Sequence, residues 1–141
     1  MIHPGSCHCG NLKLEFETGL ALAELPLRAC QCSFCRLHGI VSTSDPQGRV
    51  RLYAGDPSLV QRYRFGLGIT DFLICRRCGV YLAAVAEMDG ARYAVLNANA
   101  LSGLAGLGRA AEPMDYDGED ATARRARRRT RWTPAIGLES L

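Results

Sequence analysis

The chain carries seven cysteines, and their spacing divides them into groups before any fold is considered. Cys7 and Cys9 form one tight pair and Cys75 and Cys78 another, while Cys30, Cys32 and Cys35 form a Cys-x-Cys-x-x-Cys triad between them. A closed structural zinc site takes four ligands; a catalytic zinc takes three and keeps a position open. Two pairs can close one site across the fold. The triad then remains as a three-thiolate site with room for something else.

Gly10 directly follows Cys9, and Gly79 directly follows Cys78. A cysteine turn that aims backbone N–H groups at sulfur needs a positive φ after its second cysteine, which glycine adopts without steric cost. The pairs therefore read as two facing knuckles binding one Zn²⁺ through Cys7, Cys9, Cys75 and Cys78. Four thiolates on Zn²⁺ leave a double negative charge, which the neighbouring Arg76 and Arg77 would offset. For either pair alone, free thiols or a redox dithiol is the alternative.

No knuckle glycine follows the triad; Arg36, Leu37, His38 and Gly39 come next. Three thiolates on Zn²⁺ leave one negative charge and one open position, and a soft site of this kind favours another sulfur ligand. A substrate thiol would lose its proton there. Cys30, Cys32 and Cys35 are thus the candidate catalytic residues, on a second zinc, for a small thiol substrate. Two alternatives stand beside this. His38 has the spacing to close the site as a fourth ligand, and three crowded thiols can oxidise when metal is lost. An iron–sulfur cluster lacks its fourth cysteine at short spacing. His3 and His8 read as exposed polar residues. Arg36 and Arg77 are the basic groups nearest in sequence for a substrate carboxylate.

The elements that position these thiols read as short strands. Leu12, Leu14 and Phe16 alternate with Lys13, Glu15 and Glu17, a period of two. Further strands are expected at Leu27–Cys30, Ile40–Ser44, Arg49–Tyr53, Ser58–Phe65, Thr70–Ile74, Val80–Ala86 and Arg92–Leu96. Turns separate them at Asp45-Pro46-Gln47-Gly48, Ala54-Gly55-Asp56-Pro57 and Met88-Asp89-Gly90. The triad should bend through a tight turn or one helical turn so that its sulfurs converge. Many short strands at regular spacing indicate an all-β sandwich or irregular barrel. Leu101–Gly108 reads as a loop. The division expected is a zinc-binding domain over 1–108 and a charged extension over 109–141 that packs on or trails the same domain, with a short helix at Thr122–Arg131 capped by Asp120 or Thr122.

With 141 residues and a formal net charge of +3, the chain fits one ordinary globular domain. Its first residues have no signal-peptide pattern, and no apolar run is long enough to span a bilayer. We therefore expect a cytoplasmic protein, where clustered cysteines are metal ligands or reactive thiols rather than disulfides. The arginines from Arg124 to Arg131 are nearly balanced by Glu112, Asp115, Asp117, Glu119 and Asp120. No aromatic residue interleaves them, and Trp132 stands only at their end. They read as a solvated, internally paired tail, which argues against a nucleic-acid partner.

Gly5-Ser6-Cys7-His8-Cys9-Gly10, then Cys30-x-Cys32-x-x-Cys35-Arg36, then Phe72-x-x-Cys75-x-x-Cys78-Gly79 resembles the glutathione-dependent formaldehyde-activating enzyme family. That family includes centromere protein V-like proteins. The likeness covers roughly residues 5 to 100 and finds a place for every cysteine. It implies an Mss4-like fold of irregular stacked β-sheets and two Zn²⁺ ions, one structural on Cys7, Cys9, Cys75 and Cys78, the other on Cys30, Cys32 and Cys35. It also implies a carbon–sulfur lyase activity that joins glutathione and formaldehyde as S-hydroxymethylglutathione. A zinc-stabilised binding module without catalysis is the alternative, since fold does not fix function.

Overall fold

A computed structural model describes residues 1–104 and 109–138. Among these, the chain runs through β1 (Ile2–Ser6), β2 (Leu12–Glu17), β3 (Arg28–Cys30), α1 (Ser33–His38), β4 (Ser42–Thr43), β5 (Arg49–Ala54) and β6 (Val60–Tyr63). It continues with β7 (Asp71–Cys75), β8 (Tyr81–Met88), β9 (Ala91–Asn97), β10 (Glu112–Met114), α2 (Ala121–Arg131) and β11 (Thr133–Ile136). The all-β expectation holds, with helix confined to short pieces.

The predicted alternation builds the first layer. Leu12, Leu14 and Phe16 of β2 turn inward and meet Val50 and Leu52 from β5, all essentially without exposure. Each contributes about 1.5–3 kcal/mol by leaving water. β2 pairs antiparallel with β1 and with β5. The second layer is the antiparallel run β6-β7-β8-β9, whose last hairpin turns through Asp89 and Gly90, both at positive φ.

β11 joins the two layers. It runs parallel to β5, with Ala135 opposite Val50, and antiparallel to β9, with Thr133 opposite Ala94. Thr133 is fully buried, and its Oγ1 accepts a hydrogen bond from Asp45 N at 2.8 Å. The final strand is therefore an interior piece of the sheet rather than a solvated tail. Pro134 concealed it: a strand with two neighbours seldom holds proline. β1 was concealed in the same way by Pro4 and Gly5, which a strand at the sheet's edge accommodates. It also corrects the reading of His3, which lies on the inward face of β1 and is buried, its Nε2 without a partner. Of the loop expected at Leu101–Gly108, residues 105–108 lie outside the described residues.

The predicted helix near the end of the chain forms as α2, and Asp120 is its cap, accepting from Ala123 N at 2.8 Å. Ser44 Oγ donates to Arg131 O at 2.7 Å and pins the end of α2 beside β4. α2 thereby comes to lie over the cysteine triad.

Candidate metal centres and the cavity beside one of them

Cys7, Cys9, Cys75 and Cys78 converge, with all four Sγ atoms within 4.8 Å of one another. β1 delivers the first pair and β7 the second. Each knuckle has the predicted geometry: Gly10 has φ +86° and Gly79 φ +81°. Their N–H groups donate to Cys7 O at 3.2 Å and to Cys75 O at 2.8 Å, closing the two turns. Leu12 N donates to Cys7 Sγ at 3.2 Å. The Sγ of Cys9 lies 3.7 Å from that of Cys7 and 3.6 Å from that of Cys75. A tetrahedron with Zn–S bonds of about 2.3 Å has edges of about 3.8 Å, whereas a disulfide holds its sulfurs at about 2.0 Å. The spacing fits a four-thiolate zinc. Protonation points the same way: burial pushes the Cys7 thiol up to about 11, while Cys78, though burial opposes it, is held down at about 6 by hydrogen bonds from the Cys9 and Val80 backbone. Crowded thiols that cannot all ionise alone are what a dication relieves.

Cys30, Cys32 and Cys35 form a second cluster, again with their Sγ atoms within 4.8 Å. Cys30 ends β3. Cys32 caps α1, its Sγ accepting from Cys35 N at 3.4 Å, and Cys35 is buried in the first turn of that helix. The helical turn expected for the triad is α1. The Cys30 thiol is pulled down to about 6, chiefly by a hydrogen bond with Cys35 and further by Cys32 and the charge of Arg127. Cys35 is pushed far up by that same contact, by burial and by its neighbours' charge. This donor set also fits zinc, with three protein ligands.

His38 is not part of either cluster among the described residues. Its ring sits on Phe34, centroids 4.5 Å apart, and borders a separate cavity that it shares with His8. Among the described residues the triad lacks a fourth ligand that would close it.

What the triad does have is a cavity of about 400 Å³. All three cysteines line it, and none of the other four does. Phe65, Leu67, Ile69, Phe72 and Trp132 make an apolar wall. The loop carrying the first three is tied at its base by Arg64 Nε donating to Asp71 Oδ1 at 2.6 Å. Tyr81, buried beside the thiols, has its phenol pushed up by burial and by their charge, so it stays protonated. Sequence reasoning singled out Arg36, which does line the cavity, and Arg77, which is exposed in the loop of the other cluster and does not.

It missed the roof. Arg124, Arg127 and Arg128 of α2 line the cavity, joined by Arg28 from β3. Glu119 binds Arg127 at 2.8 and 3.0 Å and Arg124 at 3.4 Å, and its carboxyl is held below the usual range, first by Arg127. Arg127 also stacks on Tyr116 at 3.6 Å. Arg128 is buried, donates Nη1 to Thr70 Oγ1, and lies 4.4 Å over the Trp132 ring; burial lowers it to about 10. The one available signal was the Arg128–Trp132 spacing of four, which stacks two side chains at a helix end. The arginine run is thus not one exposed basic stripe.

The family model for glutathione-dependent formaldehyde-activating enzyme matches residues 2–113. The chain belongs to that family. The match takes in every cysteine of both clusters and ends before α2. A crystal structure of a protein from Rhodobacter sphaeroides is similar to this one, with a TM-score of 0.58 and 28% sequence identity over 78% of this chain and 97% of that chain. The family's association with zinc and the two converging clusters agree: this is a zinc-binding type of protein. No helix among the described residues is long and apolar enough to cross a membrane.

Proposed function

We propose that the protein is a carbon–sulfur lyase acting on the adduct of a small thiol and an aldehyde, of which glutathione and formaldehyde are the family's named pair. Cys30, Cys32 and Cys35 would hold a catalytic zinc, and Cys7, Cys9, Cys75 and Cys78 a structural one. The observation that carries this reading is the asymmetry between the clusters: the three-cysteine one opens on the cavity and the four-cysteine one does not.

Zinc on the triad would supply an open position where a substrate thiol is ionised and held. The rest falls to the chain. The cavity wall orients the aldehyde carbon toward that sulfur and keeps bulk water away. Tyr81, neutral at working pH, offers a donor to the aldehyde oxygen. In the forward direction the sulfur lone pair forms the C–S bond, the C=O π pair moves onto oxygen, and the proton lost by the thiol ends on that oxygen. Nothing is oxidised or reduced, so no redox partner is needed.

The test is exchange NMR with ¹³C-formaldehyde and glutathione in the presence of the zinc-loaded protein. Faster interconversion of free and adducted formaldehyde than in buffer is expected, and Cys32→Ser should return it to the buffer rate. An unchanged rate with the wild type would favour the non-catalytic binding module instead.

A further inference from the structure

The roof over the cavity carries a charge that its carboxylates balance only in part. Five arginines line this space (Arg28, Arg36, Arg124, Arg127 and Arg128), against one acidic residue, Asp117. Glu119 accounts for Arg124 and Arg127. Arg128 is different. It is only 7% exposed, its Nε is buried without a hydrogen bond, and its Nη2 donates to nothing among the described residues. It makes no direct ion pair among those residues either, and the carboxylate that acts on it, Glu119, already holds Arg124 and Arg127. A buried cation without a counter-charge is costly, even when stacked on an aromatic ring as Arg128 is on Trp132. A helix seldom holds one over a cavity unless an anion completes it.

The wall beside Arg128 is apolar: Phe65, Leu67, Ile69, Phe72 and Trp132. Glutathione, polar along most of its length, would leave this apolar wall largely unused. A ligand with an apolar body and one anionic end satisfies both walls.

Resting on the cavity's being the substrate site, we propose that it takes an amphipathic carboxylate, an aryl or alkyl body ending in one carboxyl group. Arg128 binds the carboxylate, and Trp132 with the Phe65–Ile69 loop encloses the body. Arg128 is then a specificity-determining residue, lying beyond the part of the chain that matches the family. The substrate of the lyase reaction becomes a thiol adduct in which either partner brings this carboxylate.

Thiol-free ligands test this apart from the chemistry. The zinc-loaded full chain is titrated calorimetrically with 3-phenylpropionate and with its neutral amide. The carboxylate should bind roughly 10- to 100-fold more tightly, as a charge-assisted hydrogen bond implies. Arg128→Met should bring the carboxylate down to the affinity of the amide and leave the amide unchanged, while Arg125→Met on the exposed side of α2 should alter neither. Cys32→Ser should keep the preference, because the partner is the guanidinium and not a metal. Should Arg128→Met fail to fold, the guanidinium NMR signal of Arg128 in the wild type serves: it should shift with the carboxylate and not with the amide. Equal affinity for the two ligands, no binding of either, equal weakening of both by Arg128→Met, or loss of the preference in Cys32→Ser would each overturn the proposal. Lyase exchange absent while the carboxylate preference persists would sink the reading of the reaction and leave this site standing.

Discussion

The two cysteine clusters are built from the same atoms and differ in everything around them. The four-cysteine cluster is made by two local turns, each closed by its own backbone and glycine, and none of its cysteines lines the cavity that the triad borders. The triad is made at the junction of β3 and α1, has no fourth ligand among the described residues, and forms part of a cavity wall. The first arrangement would saturate a metal and staple the start of the chain to its middle. The second would leave a metal unsaturated and put it where a ligand can reach. The lesson is that the number of ligands and the access to them, rather than the kind of ligand, separate a structural from a reactive site.

That contrast breaks most visibly at Cys75, which is fully buried in the four-cysteine cluster. Structural zinc in small domains is worth about 10–16 kcal/mol of apparent binding free energy, more than a domain's usual net stability. Cys75→Ser should therefore abolish the cooperative thermal transition seen by circular dichroism. A variant that melted like the wild type would show the staple to be dispensable.

A smaller effect on the fold is expected at Gly79. An alanine there meets no atom within 4 Å, so the cost is conformational alone: φ is +81°, which disfavours a side chain by about 1–2 kcal/mol. Gly79→Ala should lower the denaturation midpoint by that amount while both zinc ions stay bound. Loss of zinc without loss of stability would mean that the knuckle geometry serves only the metal.

The smallest effect separates the triad's roof from both metals. The Glu119 carboxyl is held below its usual range, first by Arg127 and then by Arg124. A carboxylate whose folded value is depressed contributes stability above its unfolded value, and that contribution disappears as pH falls through the folded one. The wild type should thus melt slightly higher than Glu119→Gln at neutral pH, with the difference shrinking as pH falls below the usual glutamate range. A constant difference across that range would assign the effect to packing. Zinc content should not change.

What could be read in the sequence follows the same divide. The knuckles are local: two cysteines and a glycine within a few residues specify a turn, and the positive φ at Gly10 and Gly79 was foreseeable. The β2 and β5 alternation is local as well. The roof is not. In sequence, the acids and arginines between Glu112 and Arg131 cancel, so the segment reads as solvated. In space Glu119 takes only Arg124 and Arg127, and the remaining charge on Arg128 is turned inward against Trp132 and Thr70. No periodicity announces which of several consecutive arginines will be buried; that depends on β11 being drawn into the sheet beyond them, where Pro134 hid a strand. His38 taught the reverse: its spacing suited a ligand, yet its ring rests on Phe34 instead.

Native mass spectrometry of the wild type and Cys32→Ser, both purified without chelator, tests the division of the clusters most directly. Two zinc ions are expected per wild-type chain and one per Cys32→Ser chain, with the charge-state distribution of a folded protein in both. An unfolded Cys32→Ser, or an equal zinc count in the two proteins, would contradict it.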